Sequence, residues 1–445
     1  MEKPPSPLVI SQHVEESTHL RHVRSVLVRS HHVQIHRLQR LDERIAAHLD
    51  GIAVAGDFGL KLCLEALETP SVGAVFTLAV RALELKDAGL LQRLFALVAA
   101  VPGAERGVLG ALGWVSAQAL QGTIRDLLMS GDAVQRAAGL AACGMHRVDP
   151  GAALGAALAD ADERLRVRAL RVAGEVGRVD VLPQVVAACV ADDAAEDETP
   201  QFWAARSALL LGDRSAGVLA VLNELAEGAG AWSDAAAEWL LKVIEVDAAR
   251  QHLRECSRRW SERANEPGPA GVAARRRLIR RCGVAGDAFF IPWLIGQMAD
   301  LLVSRLAGEA FTRITGADLA RLDLERTPPE GASDGRFGGP NDDPNDDLVA
   351  LDDDEGLPWP DAERVQGWWQ AHQARFSTTS PAEPRFFMGE QPSPAQALKV
   401  LREGGQRQRM AAAQWACLLT PRTKLFQTTA PAWRQQRWLA EMTTE

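Results

Sequence analysis

Val134-Gln135-Arg136-Ala137-Ala138-Gly139-Leu140, Val167-Arg168-Ala169-Leu170-Arg171-Val172-Ala173 and Trp203-Ala204-Ala205-Arg206-Ser207-Ala208-Leu209 are three versions of one phrase. They recur every 33–36 residues or so, a period that suits a unit of two antiparallel helices. Such a pair hides its apolar face only against the next pair. Between 163 and 176, Leu165, Ala169, Val172, Ala173 and Val176 fall on one helical face, while Arg164, Arg168, Arg171 and Glu175 fall on the other, which is expected to be wet. Asp162 stands where an N-cap belongs. Asp180 is placed to cap the next helix, which carries Leu182, Val185, Val186, Cys189 and Val190, with Pro183 in its first turn. Small residues such as Ala137, Ala141, Ala169 and Ala173 let neighbouring helices approach closely. An ordinary helical bundle is the competing arrangement; the repeat period favours a stacked array.

Outward from this core, residues 1–12 read as a loose tail and Val14 to Leu49 as helical, with Leu38, Leu41, Ile45 and Leu49 on one face and Asp50-Gly51 as the expected stop. From Gly56 to Leu225, Ala-Leu-rich stretches alternate with Gly, Asp or Pro breaks. Trp232 to Ile244, Gln251 to Arg263, Gly271 to Arg281 and Phe289 to Thr315 have helical periodicity; Asn265 to Pro269 and Cys282-Gly283 are the expected breaks. From Thr327 to Pro360 the composition turns to Pro, Gly, Asn and Asp, and Asp342 to Glu355 holds eight acidic residues and no basic one. Helical stretches return at 395–403 and 406–419, and Pro431 opens a last short helix. The expected organisation is an N-terminal helical segment (1–50), a helix-pair array (51–320), an acidic Pro/Gly-rich loop (321–365) and a C-terminal helical cap (366–445).

Composition agrees. Ala and Leu dominate the 47% apolar content and Tyr is absent, which favours an all-α chain. A chain of 445 residues exceeds one compact core. The net charge of −9 does not steer the whole protein to nucleic acid or anionic lipid. Six cysteines are scattered without CxxC spacing, so they read as buried small hydrophobes in a reducing compartment. With no secretory signal and no long uncharged apolar run, the expected location is the cytoplasm.

Several constellations invite chemistry. Seven of ten histidines lie in the first 48 residues, with His19/His22 and His32/His36 at helical spacing. Without HExxH or a partnering Cys, they read as a polar face, and no metal or cofactor is expected. Asp352, Asp353, Asp354 and Glu355 close the acidic loop, which reads as a solvated strip, as a dock for a basic partner, or as an internal clasp on the Arg-rich segment before it. That segment holds nine Arg from Arg254 to Arg281, Arg275, Arg276 and Arg277 among them; phosphate contact is one use, but it is read as lacking the aromatics that base stacking needs. Trp359, Trp368 and Trp369 flank the loop; they read as core packing or, if partly exposed, as candidate anchors for a protein partner. No GxSxG, Walker loop or dinucleotide fingerprint occurs, so no catalytic residue is assigned and the chain is not expected to be an enzyme.

The segments at Gly131–Leu225 resemble HEAT-like repeats of the kind also seen in bilin lyases. More narrowly, His13-Val14-Glu15-Glu16, Leu41 to Gly51, Arg305 to Phe311 with Ile314-Thr315-Gly316, Leu357-Pro358-Trp359-Pro360, Trp368-Trp369 and Gly405 to Ala412 resemble a proteobacterial family of HEAT-like repeat proteins often encoded beside type VI secretion genes. The resemblance spans nearly the whole chain and brings no catalytic residues. It implies an all-α HEAT-like helix-pair solenoid that holds a protein partner, as adaptor or chaperone for a type VI secretion effector or spike-tip protein. An effector-neutralising immunity protein, a lyase-like HEAT-repeat enzyme and a nucleic-acid-binding HEAT-like protein remain as alternatives. Membrane is not expected as a partner.

Overall fold

Asp162 accepts the Leu165 amide at 3.0 Å and starts the helix Glu163–Val176, and Asp132, Asp87 and Ser71 open three earlier helices in the same way. Each such cap satisfies a donor that the first turn leaves without an intrahelical partner. Helices make up nearly all the regular structure. The computed structural model describes residues 6–191, 197–264, 269–329, 354–377 and 384–442 (no side chains for 261–264). Among them, only two isolated bridges, Glu325–Pro360 and Phe387–Glu390, interrupt an otherwise all-helical chain. No described helix is long and apolar enough to cross a membrane. The chain divides into two compact units, Met1–Val218 with Leu398–Glu445, and Leu219–Ala397.

The first unit contains α1 (Pro7–Leu27), α2 (Ile35–Val54), α3 (Gly56–Glu65), α4 (Val72–Leu85), α5 (Ala88–Ala100), α6 (Ala104–Trp114), α7 (Thr123–Leu128), α8 (Ala133–His146), α9 (Ala152–Leu158), α10 (Glu163–Val176), α11 (Leu182–Cys189) and α12 (Thr199–Leu210). The three repeated phrases lie in α8, α10 and α12. Helices α4, α6, α8, α10 and α12 pack side by side in order, and α5, α7, α9 and α11 pack back on their sequence neighbours. This sequential packing is consistent with a repeat-like arrangement. Helix α4 is buried almost all round, as the centre of an array demands; Phe76 and Leu78 are fully enclosed.

Helix α13 (Ala216–Glu227) spans the division. The second unit adds α14 (Ser233–Val243), α15 (Val246–Ala264), α16 (Pro269–Ala285), α17 (Ile291–Gln297), α18 (Ser304–Thr315) and α19 (Ala362–His372). Here α14, α16 and α18 form the row, α15 and α17 pack on α16 and α18, and α19 rests on α17. Helix α20 (Pro394–Glu403) leads back to the first unit, where α21 (Gln406–Leu419) and α22 (Ala432–Glu441) complete the chain.

In each unit a segment that is largely irregular crosses the carboxyl ends of the row. Those ends carry carbonyls without intrahelical donors and the negative pole of each helix. In the first unit, Arg422 N–H donates to Leu210 O (3.0 Å), Leu425 N–H to Glu175 O (2.9 Å), and Arg434 to Gly113 O (2.8 Å) and Val115 O (2.7 Å). Arg147 reaches the other way, to Lys424 O at 3.0 Å. In the second, Arg385 donates to Lys242 O and Ile244 O (both 2.7 Å) and to Ala285 O (2.9 Å), while Phe386 and Met388 N–H groups bond Gly286 O and Arg313 O, each at 2.7 Å.

Several local expectations are corrected. Helix α1 begins at Pro7, not at Val14, because Pro suits a first turn whose N–H would lack a partner anyway. Gly51 does not stop α2. It lies inside the helix and makes room for His13, whose ring would stand 2.6 Å from an added Cβ. Gly283 likewise lies within α16, where Ala310 Cα would be 3.0 Å from a Cβ. Asp180 does not cap α11; it sits in a 3-10 turn and pairs with Arg178 at 2.7 Å. Phe289 to Thr315 is two helices, α17 and α18. The expected break at Asn265 to Gly268 lies outside the described residues.

Candidate functional site

The Arg-rich helix α16 turns its guanidiniums toward carboxylates of its own unit. Arg275 pairs with Asp300 at 2.6 Å, and Arg277 with Asp234 at 2.9 Å. Arg276 grips Asp354 with two bonds of 2.6 Å each. Asp354 is almost wholly buried, its carbonyl accepts from Arg305 at 3.1 Å, and Arg305 lies 4.7 Å over the ring of Trp359. Among the described residues the anticipated pairing of acidic loop with basic face is seen at Arg276–Asp354. Asp352 and Asp353 lie outside the described residues.

The tryptophans that flank the acidic loop are mostly enclosed. Trp359 and Trp369 are buried, the latter 5.4 Å from Phe376. Half-buried Trp368 stacks on His372 at 4.2 Å and meets the edge of Phe311. The structure thus unites Arg276, Asp354 and Trp359, and sets Trp368 and Trp369 into packing around α19.

Arg258, Arg259 and Arg281 of the same segment are similarly engaged. Arg259 pairs with Glu227 (2.9 Å) and Glu255 (3.0 Å), Arg258 pairs with Glu255, and buried Arg281 reaches Asp234 at 3.3 Å. An aromatic does interleave with it: Trp260 lies beneath Arg277 (5.2 Å) and Arg281 (4.9 Å), so cations of the same unit cover its ring.

A different Arg surplus lies on α10. Arg164 is exposed, and half-buried Arg168 meets Glu105 only at 3.8 Å. Glu175, expected on the wet face, is buried. It accepts from Arg171 at 2.9 Å and Arg206 at 3.5 Å because α12 brings Arg206 against it. Burial favours the neutral acid, but Arg171 and Arg206 outweigh it and hold the carboxyl below its ordinary range. Half-buried Trp203 sits between the same two cations, 4.6 Å from Arg171 and 5.0 Å from Arg206.

Of the N-terminal histidines, His19, His22, His32 and His36 face solvent, while His13 and His48 meet Nδ1 to Nδ1 at 3.0 Å between α1 and α2. Among the described residues no group of three or more His, Cys, Asp or Glu is arranged to hold a metal. All six cysteines are free and buried. A cavity of about 320 Å³ lies among α4, α5, α7 and α8, with the amides of Gln92 and Gln135 bonded to each other on its wall.

One cluster escaped the sequence reading. His252 and Cys256 on α15 meet at 3.5 Å, with Asn223 of α13 behind the histidine at 3.2 Å and Arg281 of α16 on the sulfur at 3.4 Å. The spacing of His252 and Cys256 was a legible signal; the two residues from other helices left none.

No protein-family model matches the chain, and no curated protein matches it in sequence. Its function must be argued from its own residues.

Proposed function

We propose that this chain is a protein-interaction scaffold, a HEAT-like helix-pair solenoid acting as adaptor or chaperone for a type VI secretion effector or spike-tip protein. The observation that supports this reading is the α10–α12 ridge, where among the described residues Arg164, Arg168 and Arg171 outnumber Glu105 and Glu175 beside the half-buried Trp203. Arg and Trp are the residues that most often anchor protein interfaces, and a surplus of one charge steers a complementary partner. The expected partner presents an acidic surface. Duplex nucleic acid is the weaker reading, because Arg258, Arg259, Arg275, Arg276, Arg277 and Arg281 already face carboxylates of their own unit.

The test is co-expression with effector and spike-tip proteins encoded beside the gene, followed by affinity capture and titration. Retention of one of them, weakened about tenfold by Arg164→Glu with Arg168→Glu, is the expected result. If none is retained at about 50 mM salt, where charged contacts are little screened, or if the double variant binds equally well, this function is wrong.

A further inference from the structure

Cys256 ends a line of polar side chains in the second unit. Arg259 Nη1 donates to Glu227 Oε2 at 2.9 Å, and Asn223 Nδ2 donates to Glu227 Oε1 at 3.0 Å. An ionised carboxylate only accepts, so this bond orients the amide and leaves Asn223 Oδ1 facing His252 Nδ1 at 3.2 Å. The imidazole must therefore carry its proton on Nδ1, and the lone pair of Nε2 faces Cys256 Sγ at 3.5 Å. From the opposite side Arg281 Nη1 donates to the sulfur at 3.4 Å. Three helices thus converge on one thiol with a base in the correct tautomer, a group that holds that tautomer, and a cation beside the sulfur. That is the arrangement by which a weak nucleophile is activated.

The resting state follows from the surroundings. Burial pushes the Cys256 thiol up, with Arg281 opposing, and burial together with Arg281 pushes the His252 imidazole down. The two groups stand as neutral acid and neutral base, so the sulfur becomes nucleophilic only as its proton moves. Glu227 and Arg259 are the other charged groups facing His252.

We propose that Cys256 is an oxidation site for small hydroperoxides, with His252 as the base that takes the thiol proton. Sulfur attacks the distal peroxide oxygen; the S–O bond forms as the O–O bond breaks, and the proton passes through Nε2 to the departing oxygen. Thiol and hydroperoxide become sulfenic acid and water or an alcohol, and the peroxide supplies the oxidising equivalent. Arg281 stabilises the negative charge that develops on sulfur. Cys256 is 4% exposed and His252 8%, so the proposed oxidant is confined to a slim one and bulky acyl substrates are left out. The site is independent of the scaffold reading.

The other five cysteines, all buried and none with a histidine partner among the described residues, are internal controls. The full chain is exposed to hydrogen peroxide with a sulfenic-acid trap, and each cysteine is followed by peptide mass spectrometry. Cys256 is expected to be trapped about tenfold faster than the others, and His252→Gln to slow it about tenfold or more. Equal rates at all six sites, or an unchanged Cys256 rate in the variant, would overturn the proposal. Should His252→Gln expose every cysteine by unfolding, Asn223→Ala decides: a slower Cys256 supports the base role, and an unchanged rate refutes it.

Discussion

In the first unit, residues 421–434 cross the carboxyl ends of α12, α10, α8 and α6 and also reach a buried ion pair; in the second, residues 385–388 cross α14, α16 and α18 and bond backbone carbonyls. At the ion pair Arg24 Nε donates to Asp42 Oδ1 at 2.6 Å, Asp42 Oδ2 accepts from the Ala432 N–H at 2.7 Å, and Arg24 extends to the carbonyls of Thr429 and Ala430, each at 3.1 Å. Asp42 is fully buried. Both segments answer the same need, donors for helix ends that have none of their own. They differ in what holds them down. A single hydrogen bond is a modest net contributor, whereas one half of a buried ion pair cannot be removed without stranding the other. The first crossing is therefore expected to be the more strongly anchored.

The comparison breaks most sharply at Asp42. Asp42→Ala leaves the Arg24 cation buried and the Ala432 amide unmet, with an expected loss of about 3–5 kcal/mol in urea unfolding. A loss no larger than that of Arg385→Ala would remove the distinction between the units. The next largest effects belong to the guanidiniums that take several carbonyls. Arg434→Ala and Arg385→Ala should each cost about 2–3 kcal/mol, since charged hydrogen bonds are the stronger kind. Hydrogen exchange sharpens the point: Arg434→Ala should deprotect the end of α6, and Arg385→Ala the ends of α14 and α16. Deprotection spread evenly over both units would mean that the segments do not act locally.

The first crossing also carries a pH dependence. His146 Nε2 lies 2.8 Å from Leu112 O, and burial, then the neighbouring Arg434, push its pKa from the ordinary 6.5 down to about 4, with Arg437 adding to the effect and the Leu112 bond opposing it. A depressed base is neutral in the folded chain while the unfolded chain is still protonated. Between those two values the unfolded state binds more protons, so stability falls as pH drops through the window. Urea midpoints at pH 7 and 4.5 should fall less for His146→Gln, which retains a donor for Leu112 O. Parallel losses in the two proteins would assign the acid sensitivity to other groups.

What was legible in the sequence was whatever a single helix decides. Leu38, Leu41, Ile45 and Leu49 share a buried face, and the three repeated phrases lie on three helices of one row. What was not legible depends on a second helix. A glycine that ends a helix and one that lets a neighbour approach are spelled alike, so Gly51 and Gly283 were misread. Glu175 is buried because Arg206 arrives from α12, and the Cys256 cluster exists because α13 and α16 bring Asn223 and Arg281 to it. Among the site candidates, Arg276 and Asp354 met as charge alone suggested, while Trp359 was enclosed by Arg305, a contact that no spacing encodes.

The smallest effect tests that division between one-helix and two-helix information. Asp162 and Asp180 both precede apolar helical runs, and both stand where a cap belongs. Only Asp162 accepts an amide of its helix start, from Leu165, whereas Asp180 is exposed and engaged with Arg178. Asp162→Ala should cost about 1 kcal/mol, the ordinary worth of an N-cap, and its deprotection should begin at the first turn of α10. Asp180→Ala should leave the melting curve where it was, because an exposed ion pair is screened and replaced by water. Equal losses at the two positions would mean that the 3-10 turn before α11 depends on Asp180, and that a cap can be inferred from sequence position even where no capping bond is made.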